Sequence, residues 1–151
     1  MPTPEFDERL SVVVPVKNEA ENIEPLVREI VAASASLTDF EIVYVDDGST
    51  DATLSELKRL AAELPQLRIV RHRASCGQST AVTSGVLAAR LAWIATLDGD
   101  GQNDPADIPK LLARLRAARP EENLHMLAGW RANRRDTWLR RLSSRVANGV
   151  R

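Results

Sequence analysis

The amino-acid sequence predicts an α/β fold with a mostly parallel sheet covered by helices on both faces. Three observations carry that expectation. Short β-branched runs alternate with segments whose apolar residues recur at helical spacing. That alternation calls for right-handed β-α-β crossovers, which leave neighbouring strands parallel. Turns rich in Asp, Gly and Asn follow the strands, at the end where an open parallel sheet presents its ligand sites.

The first strand is expected over residues 11–16 (SVVVPV), with Pro15 ending its ladder because proline lacks an N–H. A helix over 21–33 leads to a second strand over 41–45. The next helix, 52–63, has Asp51 or Thr53 as its cap. A third strand over 67–70 and a helix over 79–89 follow. The fourth strand, 93–97, runs into a loop whose Asp104 is placed to cap a helix over 105–118 that starts at Pro105. A fifth strand is expected over 124–127, and residues 137–149 read as an amphipathic helix.

Length and composition fit one globular domain over 1–151, with 44% hydrophobic residues to build a core. The net charge of −1 hides two opposed halves. From Arg131 to Arg151 there are seven Arg against the single acid Asp136, which leaves −7 on the remainder. Among the 20 basic residues only Lys17, Lys58 and Lys110 are lysines, so the planar fork suited to phosphate predominates. The single Cys76 excludes an internal disulfide and fits a cytosolic setting. His72 and His125 lie far apart, have no metal-ligand spacing, and are read with Cys76 as structural. The start MPTPEFDERL lacks a signal pattern, and the most apolar stretch, 86–97, is broken by Arg90, so nothing here is expected to enter a membrane.

The most informative stretch is Asp98-Gly99-Asp100-Gly101-Gln102-Asn103-Asp104-Pro105, directly after the fourth strand. Two carboxylates one residue apart on a glycine-containing turn can face one point, and hard oxygen ligands hold Mg²⁺ or Mn²⁺ while leaving positions for a diphosphate. A calcium loop of the EF-hand type is rejected, because its sixth position needs Gly and has Asn103, and its twelfth needs Glu and has Pro109. The bland alternative is a turn-forming segment that caps a helix. A second acidic loop, Asp46-Asp47-Gly48-Ser49-Thr50-Asp51, follows the second strand and offers either a capped turn or an acceptor for a base or ribose donor. A third, Pro15-Val16-Lys17-Asn18-Glu19, can line the same cleft. Neither G-x-G-x-x-G nor G-x-x-x-x-G-K-[ST] occurs, so dinucleotide and P-loop readings lose their main support.

Taken in order, VVVPVKNEAEN, EIVYVDDGSTDAT and LDGDGQNDP resemble the family-2 glycosyltransferases, in particular the polyprenyl- and dolichyl-phosphate sugar transferases. The resemblance runs from Ser11 past Gly129-Trp130-Arg131 and implies a GT-A (Rossmann-like) three-layer α/β/α sandwich, here the nucleotide-sugar-binding part of a truncated catalytic domain. It implies that Pro15, Val16, Lys17, Glu19, Gly48, Gln78 and Gly99 border the nucleotide and that Asp47 contacts the base. It further implies that Asp98, Asp100 and Gln102 surround the metal and that Arg131 binds phosphate, with Asp98, Asp100 and Arg131 catalytic. Relatives often have an aromatic where Lys17 stands, which leaves UDP and GDP both open. The implied reaction is inverting transfer from a nucleotide sugar to polyprenyl phosphate, an acceptor already anionic and in little need of a general base.

The implied setting is the inner face of the cytoplasmic membrane in a longer protein carrying the acceptor half, with homo-oligomers compatible and weak or no turnover expected of these residues alone. The Arg cluster at 131, 134, 135, 140, 141 and 145 suits an anionic acceptor, and with few aromatics beside it a nucleic-acid partner is not expected. The rival classes are a non-catalytic nucleotide-sugar-binding module and a family-2 transferase acting on a sugar hydroxyl. A phosphorelay receiver fails because its acidic pair ends a first strand and its lysine comes late, whereas no lysine follows Lys110. A nucleotidyltransferase fails because VPVKNEAEN is not its Gly-rich loop.

Overall fold

A computed structural model of the chain describes residues 8–118, 122 and 124–129. Its elements alternate strictly: β1 (Arg9–Val16), α1 (Ala20–Ser34), β2 (Asp39–Asp46), α2 (Thr53–Glu63), β3 (Leu67–Arg71), α3 (Gln78–Ala88), β4 (Trp93–Thr96) and α4 (Asp107–Arg116). The strands form one parallel sheet in the order β3-β2-β1-β4.

Burial explains the sequence of each strand. β1 is covered on both faces and is apolar almost throughout, as parallel strands are. Leu10, Val12, Val14 and Val16 join Ile42 and Tyr44 of β2, together with Ile23, Leu26, Val27 and Ile30 of α1, Leu57 and Leu60 of α2, and Ile108 and Leu112 of α4, in one buried cluster. The alternate residues point the other way, toward α3. A Cβ built on Gly85 of α3 would fall inside van der Waals contact of the Val13 and Val45 side chains, so this helix reaches the sheet only because it has no side chain there. The result is a three-layer sandwich with α1, α2 and α4 on one face and α3 on the other.

Two expectations change. β1 ends at Val16 as expected, but Pro15 does not stop its ladder, which continues on the β2 side through Pro15–Val45 and Val16–Asp46. Val16 O accepts the Asp47 amide on the β2 side, whereas Val13 O accepts the Leu97 amide on the β4 side. Pro15 shares Val13's orientation, and the β1–β4 ladder stops at Val13, so the missing N–H costs no ladder bond. Residues 124–127 form no strand; Met126 is 80% exposed, and no described strand pairs with this run. A β-branched or apolar run becomes a strand only where a ladder partner accepts it. The expected helix over 137–149 lies outside the described residues. No helix among the described residues is long and apolar enough to cross a membrane.

Successive crossovers carry the chain from β1 outward to β3, and α3 then returns it to β4 on the far side of β1. The sheet therefore reverses its winding between β1 and β4, and their carboxyl-end loops part to leave a crevice.

Candidate functional site

A cleft of about 400 Å³ opens at that reversal, lined by Pro15, Val16, Lys17, Glu19, Asp47, Ser75, Gly77, Gln78, Ala81, Asp98, Gly99 and Asp100. Its size suits a small-molecule ligand. The ends of β1, β2 and β4 build it together with the segment between β3 and α3 and the start of α3.

The β1 and β2 loops are laced together. Asn18, with a positive φ of 55°, donates its amide to Ser49 Oγ (2.9 Å) and accepts the Thr50 amide on Oδ1 (2.8 Å). The Glu19 amide donates to Thr53 Oγ1 (2.9 Å). Asp51 takes the Thr53 amide on Oδ1 (3.0 Å) and the Ala20 amide on Oδ2 (3.4 Å), joining the first turns of α1 and α2. Asp51 thus holds the first helical amide from two residues ahead of α2, while the N-cap position itself is Ala52, which has no side-chain cap bond.

Asp47 is buried, and both its oxygens are committed. Oδ1 accepts the Cys76 amide (2.8 Å) and His72 Nδ1 (2.7 Å), while Oδ2 accepts Ser75 Oγ (2.8 Å) and the Gly77 amide (2.9 Å). Burial works to raise its pKa, but these four donors outweigh it and hold the carboxyl well below the usual carboxylate range. An ionised Asp47 can only accept, so His72 donates from Nδ1–H, and its Nε2 shares a hydrogen bond with the Ser84 hydroxyl (2.9 Å). His72, read from sequence as structural, is therefore the link between Asp47 and α3. Its partners stand 25 and 12 residues away, a relation that sequence spacing does not display.

Asp47, His72 and Cys76 also bring three potential metal ligands within 4.8 Å of one another. Their hydrogen bonds are mutual, however, and both imidazole nitrogens and both carboxylate oxygens are engaged, so a cation would have to break the knot that shapes the 72–77 segment. Cys76 itself is exposed, and its thiol turns to Ala74 O (3.3 Å).

The β4 loop supplies the acids that remain more open. Asp98 is half-buried and takes Gln78 Nε2 on Oδ1 (3.0 Å), and exposed Asp100 takes the Gln102 amide on Oδ1 (3.0 Å). Gly99 between them is buried so closely that a Cβ would press on Val16 and on Pro15 O, 2.8 Å away. Only glycine lets this turn close onto β1. An oxygen-only carboxylate pair on a tight turn is a donor set for a hard divalent cation. Asp104 Oδ1 accepts the Ala106 amide (2.9 Å) in the turn that leads into α4; the helix starts at Asp107 rather than Pro105 and its N-cap is Ala106, so Asp104 shapes the turn and does not cap the helix.

Of the residues singled out from sequence, Pro15, Val16, Lys17, Glu19, Asp47, Gln78, Asp98, Gly99 and Asp100 meet in the cleft. Gly48 packs instead against the Ala74–Ser75 backbone, and Gln102 is not among the lining residues. Arg131 and the basic run after it lie outside the described residues. Sequence reasoning missed Ser75, Gly77 and Ala81 as cleft walls; the Cys76-Gly77-Gln78-Ser79 segment ahead of a helix is the one local signal that points near them.

Comparison with known proteins gives the family and the fold. The family model described as glycosyl transferase family 2 matches residues 11–146. The dodecaprenyl-phosphate galacturonate synthase of Rhizobium johnstonii is 44% identical over 142 residues, 92% of this chain and 41% of that protein. The undecaprenyl-phosphate 4-deoxy-4-formamido-L-arabinose transferase of an Enterobacter species is 40% identical over 93% of this chain and 42% of that protein. The chain thus spans about two fifths of the length of these relatives. Among solved structures, a mannosyltransferase from Pyrobaculum calidifontis in complex with GDP-Man and Mn²⁺ aligns with a TM-score of 0.62 at 27% identity, over 80% of this chain and 35% of that one. S. aureus TarS 1-349 in complex with UDP-GlcNAc aligns at 0.58 and 26% identity, over 70% and 30%.

Proposed function

Since the chain belongs to glycosyl transferase family 2 and has the GT-A fold, we infer that it is the N-terminal nucleotide-sugar-binding part of an inverting transferase that moves a sugar from a nucleoside diphosphate to polyprenyl phosphate. One observation carries this reading: Pro15, Lys17, Glu19, Asp98 and Asp100, drawn from two motifs about 80 residues apart, converge on one cleft where the winding of the sheet reverses.

Asp98 and Asp100, with Gln102 beside them, are the residues that would hold Mg²⁺ or Mn²⁺. Bound there, the cation supplies charge neutralisation for the departing diphosphate. Gln78 orients Asp98 from the start of α3, so the carboxylate is set before ligand arrives. The Asp47 knot holds the wall formed by Ser75 and Gly77, against which the nucleoside lies. An oxygen of the lipid phosphate attacks the anomeric carbon from the face opposite the leaving diphosphate; the new C–O bond forms as the old one breaks, inverting the centre without a glycosyl-enzyme. The phosphate is already anionic, so no general base is needed for the attack. Arg131 is assigned to phosphate binding, and the acceptor is reached at the cytoplasmic face of the membrane in the longer protein.

Calorimetry with UDP-glucose, UDP-GlcNAc and GDP-mannose, in Mn²⁺ and in chelator, tests the reading on the wild type and on Asp100→Ala. Binding of one donor that the cation strengthens, and that in Mn²⁺ falls by at least tenfold in Asp100→Ala, is the expected result. Folded wild-type protein that binds no donor under either condition overturns it.

A further inference from the structure

Among the described residues one cation lines the cleft, and the contacts described so far give it no task. Lys17 lines it beside four carboxylates, Glu19, Asp47, Asp98 and Asp100. A lysine among acids ordinarily settles into an ion pair, yet Lys17 makes no hydrogen bond or salt bridge among the described residues. Glu19 is turned to Asn22 Nδ2 (2.7 Å), and Asp47 spends both oxygens on the 72–77 segment. The root of the side chain is nonetheless fixed, because Asn18 next to it is tied to the β2 loop through Ser49 and Thr50. Lys17 is an exposed, unpaired ammonium on an anchored backbone, lining a cleft whose other charges among the described residues repel an anionic ligand.

Resting on the nucleotide-sugar reading, we propose that Lys17 is a second diphosphate anchor. Its ammonium binds phosphate oxygens directly from the β1 side, independently of the divalent cation held from the β4 side by Asp98 and Asp100. An ammonium is a compact point charge that gains more from a phosphate oxygen than from the neutral carbonyl of a base, which favours the diphosphate over the base as its target. The anchor gives the protein cation-independent affinity for a nucleoside diphosphate, which the carboxylate pair cannot supply.

The test uses the whole 151-residue chain and the probes UDP, GDP, uridine and guanosine, titrated in chelator and in Mn²⁺, with the weak nucleosides measured by competition. The variants are Lys17→Met, which keeps the stem and removes the charge, and Lys17→Arg. In chelator, Lys17→Met should weaken the preferred diphosphate roughly tenfold and leave its nucleoside unchanged, and Lys17→Arg should restore most of the loss. The wild type should also lose diphosphate affinity more steeply with added KCl than Lys17→Met. Equal losses for nucleoside and diphosphate would make Lys17 a base contact and overturn the anchor, as would no loss for either. A wild type that binds none of the four probes overturns the nucleotide reading and the anchor with it; a wild type that binds normally beside an unaffected Lys17→Met overturns the anchor alone.

Discussion

Glu41 on β2 and Asp47 just after it are buried carboxylates near opposite ends of α3, and the two are used differently. Glu41 accepts Ser11 Oγ (2.7 Å) and the Arg90 amide (2.7 Å) on Oε1 and Arg68 Nη1 (2.6 Å) on Oε2, with the Leu91 amide reaching Ser11 Oγ (3.2 Å). It fastens the chain just after α3. Asp47 fastens the chain just before α3, through the Cys76 and Gly77 amides, Ser75 and His72. Glu41 is balanced by a full guanidinium and sits away from the cleft, so its work ends with holding the helix. Asp47 gathers its donors from the segment that walls the cleft, so the same hydrogen-bond chemistry also shapes a binding surface. A buried carboxylate becomes functional through what its donors do next, not through its own contacts.

The strongest way to break that contrast is Asp47→Ala. It leaves His72 and two amides without their acceptor and should destabilise the fold by about 3 kcal/mol while also abolishing donor binding, as read by urea denaturation and calorimetry. Next in size is Gly85→Ala, midway between the two fastenings. Its new methyl presses on Val13 and Val45, and the overpacking should cost about 2 kcal/mol despite alanine's better helix propensity. Glu41→Gln should cost about 1–2 kcal/mol, visible in the denaturation midpoint, yet leave donor affinity within twofold; a parallel loss of binding would erase the distinction between the two ends.

Acid sharpens the comparison. At Glu41, burial pushes the carboxyl up, but Arg68, Ser11 and the Arg90 amide more than reverse it; Asp47 is likewise held low. A carboxyl whose folded pKa lies below its unfolded value, near about 4, contributes stability that is complete above that value and is withdrawn as pH falls toward the folded pKa. Stability should therefore decline below about pH 4, and Asp47→Asn should flatten that decline more than Glu41→Gln, because Asp47 is held further down. The smallest effect belongs to Asp100→Ala: exposed and bonded only to a neighbouring amide, it should change stability by less than about 0.5 kcal/mol while removing cation-dependent binding.

The sequence by itself determined the alternation of strands and helices, the parallel sheet and the acidic loops at the strand ends. Each of these is written in local periodicity and turn chemistry, and the elements at 11–16, 41–45, 67–70 and 93–97 appear with shifts of one or two residues. The failed strand at 124–127 marks the limit of that reasoning, since a strand needs a partner that the run itself does not name. Tertiary structure alone decided the rest. Asp47 and His72 became one hydrogen-bonded unit, Glu41 found Arg68 and the Arg90 amide, and Lys17 was left uncommitted among acids. The physical reason is that the fate of a charged side chain depends on which donors and acceptors the folded chain brings within about 3 Å of it. In this protein those partners lie 25 to 49 residues away along the chain.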